Sequence, residues 1–314
     1  MKIGVLYGGV SGERDVSLST GEGIMNALDE NGHEVIGVDF HPERMGVVLN
    51  LNVDLVFIGL HGKHGEDGKI QGLLDMLGIP YVGSGVLASA LAMDKAKSKQ
   101  LFHLNGLYTA QSMIYYRNRY EHVGEMTEHI NGSFTPPFVI KPNQEGSTLG
   151  FTIVKEPAEV EPAILKALTS DQEILVEAYI AGREVTVPVV GAKGNEQALP
   201  VIEIIPKNDY YDFESKYEPG GSEHLVPAPL SEELRDQLQA HAVKAHQLLG
   251  CDVYSRVDFM IDQDENPVIL EVNTLPGMTP TSLFPDAAQK IGWSYNEMVE
   301  QFVNLSRDTS TIGG

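Results

Sequence analysis

The 314 residues, with 42% hydrophobic side chains, 32 Gly and 17 Pro, suit two or three globular domains and exclude a fibrous or disordered polymer. A formal charge of -22 excludes a general nucleic-acid binder, whose phosphate contacts need a basic face, and any anionic substrate would need locally placed cations. Cys251 is the only cysteine, so neither an intrachain disulfide nor a cysteine-built zinc site is available; as a thiol following Gly250 it reads as a core residue, with a nucleophile as the alternative.

The N-terminus turns polar before a secretion signal could be completed, and no run of about 18 apolar residues occurs. A cytoplasmic protein with no membrane partner is the expectation. Residues 2–7, 34–39 and 54–60 are short β-rich runs, and helical spacing at 19–31 and 69–77 separates or follows them. This βαβ alternation predicts a parallel sheet whose ligands gather beyond the carboxyl ends of its strands. Those ends carry Gly8 to Glu13 and His61 to Gly68.

One helix is expected over 86–105, and beyond it the pattern changes to strand pairs at 138–154, 174–180, 184–190 and 198–205. The first part is therefore α/β and the remainder α+β. Residues 207–230 form a long polar stretch with four Tyr or Phe residues, which reads as a functional lid. A helix is expected over 231–249, and the tail 306–314 lacks periodicity and reads as frayed.

The most informative pattern is at 256–273. Val257, Phe259 and Ile261 alternate with Asp258 and Met260, and a second alternating run leads to Glu271 and Asn273, so a hairpin turning at 262–267 is predicted. If the turn is symmetric about Asp264 and Glu265, Asp258 lies opposite Glu271 and Arg256 opposite Asn273, all on one face. Opposed carboxylates repel unless a cation sits between them, and Mg²⁺ suits an oxygen-only set. A solvated acidic face, its pair separated by a one-residue bulge, is the other reading.

Lys141 ends a strand and enters the small-residue loop 142–150, whose backbone N–H groups could cradle phosphate, although a plain hairpin turn explains the same residues. Neither the Walker pattern nor a helix-opening G-x-G-x-x-G occurs. Lys95 and Lys99 share a helical face that Lys97 does not, and solvation is the default for all three. His61 could bind a ligand or cap a strand end, and Glu13 could cap a helix.

In order, Gly8-Gly9-x-Ser11-x-Glu13-Arg14-x-Val16-Ser17, His61-Gly62-x-x-Gly65-Glu66-Asp67-Gly68, Met93-Asp94-Lys95, Lys141-Pro142 to Gly150, Tyr211 to Tyr217, Arg256-Val257-Asp258 and Glu271-Val272-Asn273-Thr274-x-Pro276-Gly277-Met278-Thr279 run from the first strand to about Phe302. Together they resemble the D-alanine–D-alanine ligase family of the ATP-grasp superfamily. The resemblance implies an N-terminal parallel-sheet domain over 1–93 followed by a two-domain ATP-grasp fold, a central subdomain over 94–183 and a catalytic subdomain over 184–314 with the lid at 207–230.

It further implies that ATP is held by Lys95, Lys141, Gly146, Ser147 and Lys216, with Glu177, Tyr179 and Ile180 as the adenine hinge and Glu184 at the ribose. Asp258, Glu271 and Asn273 would hold two Mg²⁺ ions, for which Mn²⁺ could substitute. Glu13 would anchor the first D-alanine and connect through Ser147 to Tyr217; His61 would assist binding, and Ser282 and Leu283 would receive the second D-alanine. Lys216, Arg256 and the Gly277 N–H would stabilise developing charge during formation and collapse of an acyl phosphate. A homodimer is expected on the same basis.

Tyr217 rather than phenylalanine favours a dipeptide over a D-lactate ester, the closest alternative product. A nucleotide sensor lacking catalysis would be expected to lose some of Lys141, Lys216, Arg256, Asp258, Glu271 or Asn273, and all six are present. The chain departs from the family pattern at Ala178-Tyr179, where Lys-Trp or Lys-Tyr is frequent, and at Ser215, where alanine is. These departures bear on nucleotide affinity.

Overall fold

The N-terminal β-rich runs pair in parallel. In the computed structural model, which describes residues 1–146, 149–206 and 221–310 with the last three by backbone only, β1 (Lys2–Gly8), β2 (Glu34–Phe40), β3 (Leu55–Ile58) and β4 (Tyr81–Val82) form a sheet in the order β2-β1-β3-β4. All four residues of β3 are buried, as a parallel strand covered on both faces requires. α1 (Arg14–Glu30), the single turn α2 (Gly46–Leu49) and α3 (Lys69–Leu77) connect these strands. α1 begins ahead of the start expected near residue 19, so its first turn lies at the carboxyl end of β1.

The single helix expected over 86–105 is two, α4 (Val86–Met93) and α5 (Lys95–Leu104). Asp94 breaks it: its backbone is extended, and its Oδ1 accepts the Lys97 N–H at 3.0 Å as an N-cap. Both helices pack through Ala88, Ala92 and Phe102 against the C-terminal sheet.

β5 (Ser112–Tyr116), β6 (Phe138–Pro142), β7 (Thr152–Val154) and β8 (Glu173–Ala178) make an antiparallel sheet ordered β5-β8-β6-β7. α6 (Val123–Ser133) and α7 (Val160–Ala167) cover it over a core that includes Tyr115, Met126, Phe138 and Ile164. The third sheet is antiparallel and runs β12-β11-β9-β13-β14, with β10 on β9. Its strands are β9 (Arg183–Gly191), β10 (Gln197–Ala198), β11 (Ile202–Pro206), β12 (Ser222–Leu225), β13 (Val253–Ile261) and β14 (Pro267–Asn273). β12 lies inside the stretch expected to be lid, so 222–225 is an edge strand; of that expectation, residues 207–220 lie outside the described residues.

α8 (Glu232–Leu249) spans the third sheet, and α9 (Leu283–Lys290) and α10 (Tyr295–Ser310) close the chain. The tail is not frayed from residue 306: α10 continues through Ser310, and Ser306 is buried. Phe302 of this helix stacks on Tyr254 of β13 at 4.4 Å, and both belong to the core that holds Ile3, Val5 and Phe57. One apolar core thus ties the parallel sheet to the C-terminal sheet. Cys251 is buried, and burial pushes its thiol up to about 12, as a core residue and not a nucleophile. Among the described residues no helix is long and apolar enough to cross a membrane.

Candidate active site

Asp258 pairs with Glu271 and Arg256 with Asn273 across β13 and β14. The expected pairing holds although the assumed turn symmetry does not: Ile261 pairs with Pro267, and a bulge at Leu270 takes up the difference. The bulge lies on the turn side of Asp258 and Glu271 and leaves that pair opposed. An extra residue turns two successive side chains toward one side, and both Leu270 and Glu271 line the cleft between the antiparallel sheets.

Arg256 donates to both Asp258 oxygens, at 2.9 and 2.8 Å, and Asn273 Nδ2 donates to Asp258 Oδ2 at 2.9 Å. Thr186, opposite Asp258 on β9, donates its hydroxyl to Oδ1. Lys95 Nζ lies 3.2 Å from Glu271 Oε2 and donates to the Glu145 carbonyl at 2.7 Å. Each opposed carboxylate is therefore matched by a cation of the chain. The donor set is oxygen-only, and the described residues hold no group of three or more His, Cys, Asp or Glu side chains that could cage an ion. An ion here would complete its shell with phosphate oxygens and water, which fits Mg²⁺.

The cleft has a volume of about 380 Å³ and receives Lys95, Lys141, Gly146, Glu177 and Glu184. Tyr179 and Ile180 line it from the link between β8 and β9, which joins the two antiparallel sheets. Lys141 and Glu177 stand on the paired strands β6 and β8 and bond through Lys141 Nζ and Glu177 Oε1, while Lys99 Nζ approaches Glu177 Oε2 at 2.9 Å. Burial alone would raise Glu177, but Lys141 and Lys99 outweigh it and hold the carboxylate down to about 2.

Solvation, the default for Lys95 and Lys99, does not apply: both are buried, because α5 turns their shared face inward, while Lys97 is exposed. Asn143 positions this start of α5. Fully buried, it accepts the Ala96 N–H at 2.9 Å and donates to Asp94 and Glu173 at 2.9 and 3.1 Å.

A pocket of about 70 Å³ adjoins the cleft, sharing Gly146 and Glu271 with it, and is lined by Glu13, His61, Arg256, Gly277, Ser282 and Leu283 among others. Glu13 precedes α1 but makes no side-chain capping bond, so the capping reading fails and its buried carboxylate is directed at the pocket. A Cβ on Gly62 or Gly146 would come within 3.0 or 3.1 Å of Glu13 Oε2, so glycine allows that close approach.

His61 does not cap a strand end. Nδ1 lies 3.0 Å from the Leu275 carbonyl, which can only accept, so Nε2 accepts from the Thr20 hydroxyl at 2.9 Å. Burial pushes its pKa down, so the ring is neutral and braces the loop that carries Gly277. Ser282 Oγ accepts the Thr279 N–H at 3.0 Å and lies 2.8 Å from the Thr279 hydroxyl, which folds this segment around the pocket. Ser147, Lys216 and Tyr217 lie outside the described residues.

Sequence reasoning missed Lys99, Thr186 and Glu66 as parts of this region. Spacing from Lys95 was the available signal for Lys99, and strand parity with Glu184 for Thr186. Glu66 accepts the Gly62 N–H at 2.6 Å, and burial followed by the nearby Glu13 pushes it up to about 8. Glu66 is half-buried, and its place in the His61 to Gly68 segment beyond a strand's carboxyl end was the available signal for it.

The family described as D-ala D-ala ligase C-terminus matches residues 101–304, and that described as D-ala D-ala ligase N-terminus matches residues 44–84. A D-alanine–D-alanine ligase of Halalkalibacterium halodurans is 59% identical over 307 residues, covering 98% of this chain and 99% of that protein. The Bacillus anthracis D-alanine–D-alanine ligase complexed with ATP superposes with a TM-score of 0.83 at 32% identity, covering 100% of this chain and 99% of that one. VanG D-Ala:D-Ser ligase from Enterococcus faecalis gives 0.84 at 31% identity, covering 97% and 99%. With its parallel sheet, its two antiparallel sheets and the cleft between them, the chain belongs to the D-alanine–D-alanine ligase family of ATP-grasp fold.

Proposed function

We propose that the protein joins two D-alanine molecules at the expense of ATP, releasing ADP and phosphate, to supply the dipeptide for peptidoglycan precursor synthesis. The observation that carries this reading is the junction of a lysine-flanked cleft with a small carboxylate- and arginine-lined pocket through Glu271 and Gly146. A γ-phosphate at that junction lies beside a substrate carboxylate in the pocket, the proximity that phosphoryl transfer needs.

Lys95 and Lys141 bind phosphate oxygens, and Glu177, Tyr179, Ile180 and Glu184 hold the nucleoside. Glu13 takes the ammonium of the first D-alanine, whose carboxylate attacks the γ-phosphate to give D-alanyl phosphate. The second D-alanine, its carboxylate held at Ser282 and Leu283, attacks that carbonyl through its amine and expels phosphate. Arg256 and the Gly277 N–H stabilise the oxyanion, and Lys216, Ser147 and Tyr217 belong to the same assignment. Asp258, Glu271 and Asn273 would hold two Mg²⁺ ions, or Mn²⁺, which neutralise phosphate charge when bound. The same reading divides the chain after residues 93 and 183, the second boundary falling at the link between β8 and β9, and makes the protein a cytoplasmic homodimer.

Phosphate release from Mg²⁺-ATP with D-alanine, L-alanine or no amino acid, with products weighed by mass spectrometry, tests this. D-alanine-dependent phosphate together with the dipeptide is expected; release that ignores both amino acids would overturn it. Adding D-serine or D-lactate as second substrate reads acceptor choice directly.

A further inference from the structure

Lys99 has no place in the reaction as described. Its side chain is only 3% exposed, it does not line the cleft, and lysine is rarely buried so completely without a dedicated anion. Its ammonium lies 2.9 Å from Glu177 Oε2 and 3.4 Å from the Ile269 carbonyl of β14. Glu177 is thus shared by two lysines standing on opposite sides in role: Lys141 lines the cleft, and Lys99 sits behind the carboxylate.

A nucleotide that draws the Lys141 ammonium onto its phosphates removes one of the two cations from Glu177. A buried carboxylate left without a partner takes up a proton rather than remain charged. Protonated, it would offer a hydrogen-bond donor where the ionised group only accepts. The exocyclic amino group of adenine needs an acceptor, whereas the oxo group of hypoxanthine at the same ring position needs a donor.

We propose that Lys99 is a positioning and specificity-determining residue that keeps Glu177 an acceptor while Lys141 is engaged with phosphate, so that the cleft selects a 6-amino purine over a 6-oxo purine. This rests on the ATP reading of the cleft. Burial pushes the Lys99 pKa down and Lys141 adds to that, while Glu177 and then Glu271 oppose it and favour the ammonium; the 3.4 Å contact to the Ile269 carbonyl joins Lys99 to the strand that bears Glu271.

The test titrates the full-length protein with Mg²⁺-ATP and Mg²⁺-ITP by calorimetry, without D-alanine, for the wild type, Lys99→Met, Glu177→Gln and the double variant. Lys99→Met is expected to weaken ATP by about 10-fold or more while changing ITP by less than about 3-fold, the size expected of one charge-assisted hydrogen bond. In the Glu177→Gln background, Lys99→Met is expected to change ATP affinity by less than about 3-fold, because the charge it serves is gone.

Equal losses for both nucleotides, or a further loss of about 10-fold in the double variant relative to Glu177→Gln, would overturn the proposal. If Lys99→Met alone fails to fold by circular dichroism, the comparison of Glu177→Gln with the double variant decides, since the double variant buries neither charge. Wild type that binds ATP yet forms no dipeptide removes the ligase reading and leaves the role of Lys99 to these titrations; wild type that binds neither nucleotide overturns both.

Discussion

Glu271 shows how a single side chain joins the two halves of the site. It stands opposite Asp258, lies 3.2 Å from Lys95, and borders both the cleft and the smaller pocket. Glu271→Gln preserves the shape of the side chain and removes its charge. Mg²⁺-dependent turnover is expected to fall on the order of 10²-fold with the circular dichroism spectrum unchanged; undiminished turnover would remove the metal assignment. The position of Glu271 opposite Asp258 was legible from strand parity, which needs only the side-chain period of two. Lys99 was not, because spacing puts it on the face of Lys95 without saying whether that face meets solvent or protein. Its burial depends on Glu177, a residue distant in sequence, and on a third strand.

At the scale of elements, the break between α4 and α5 and the bulge in β14 place these groups. Asp94 ends one helix and starts the next, and it also receives Asn143 Nδ2 at 2.9 Å, so α5 is locked to the loop after β6. Asp94→Ala removes an N-cap and one partner of a fully buried amide. A loss of about 1–2 kcal/mol in urea unfolding is expected, together with a higher KM for ATP, since Lys95 is the first residue of the helix; an unchanged unfolding midpoint would show the cap to be dispensable. The sequence reading ran the helix through Asp94 because the apolar spacing continues on both sides. The tertiary partner Asn143 is what fixes the stop. The bulge at Leu270 was likewise invisible to an argument from turn symmetry, and the register at Glu271 came out right because the extra residue offset a turn that is shorter by one than assumed.

Across the whole molecule, stability should respond to acid through His246, which is fully buried between α8 and β13 and bonds Ser255 through Nδ1 at 2.7 Å. Burial lowers its pKa from 6.5 to about 4, opposed by Glu196. The fold favours the neutral ring, so the contribution is fully present above pH 6.5 and is lost as pH falls from 6.5 to about 4. It is on the order of 3 kcal/mol. His246→Asn, which keeps a polar group beside the Ser255 hydroxyl but cannot take up a proton, is expected to lose less unfolding free energy between pH 7.5 and pH 5 than the wild type does; equal losses would show that other groups carry the acid response.

The sequence by itself determined the kind of strand pairing in each part of the chain, the opposed carboxylates of the C-terminal hairpin and, through ordered motifs, the family, because periodicity and spacing are local properties. Only the tertiary structure decided that α4 and α5 pack on the C-terminal sheet, that Glu13 is directed into a pocket and makes no capping bond, that His61 is spent on Thr20 and Leu275, and that Lys99 is buried against Glu177. Each of these depends on which distant segment supplies the neighbouring surface, and burial, charge pairing and protonation follow from that neighbour.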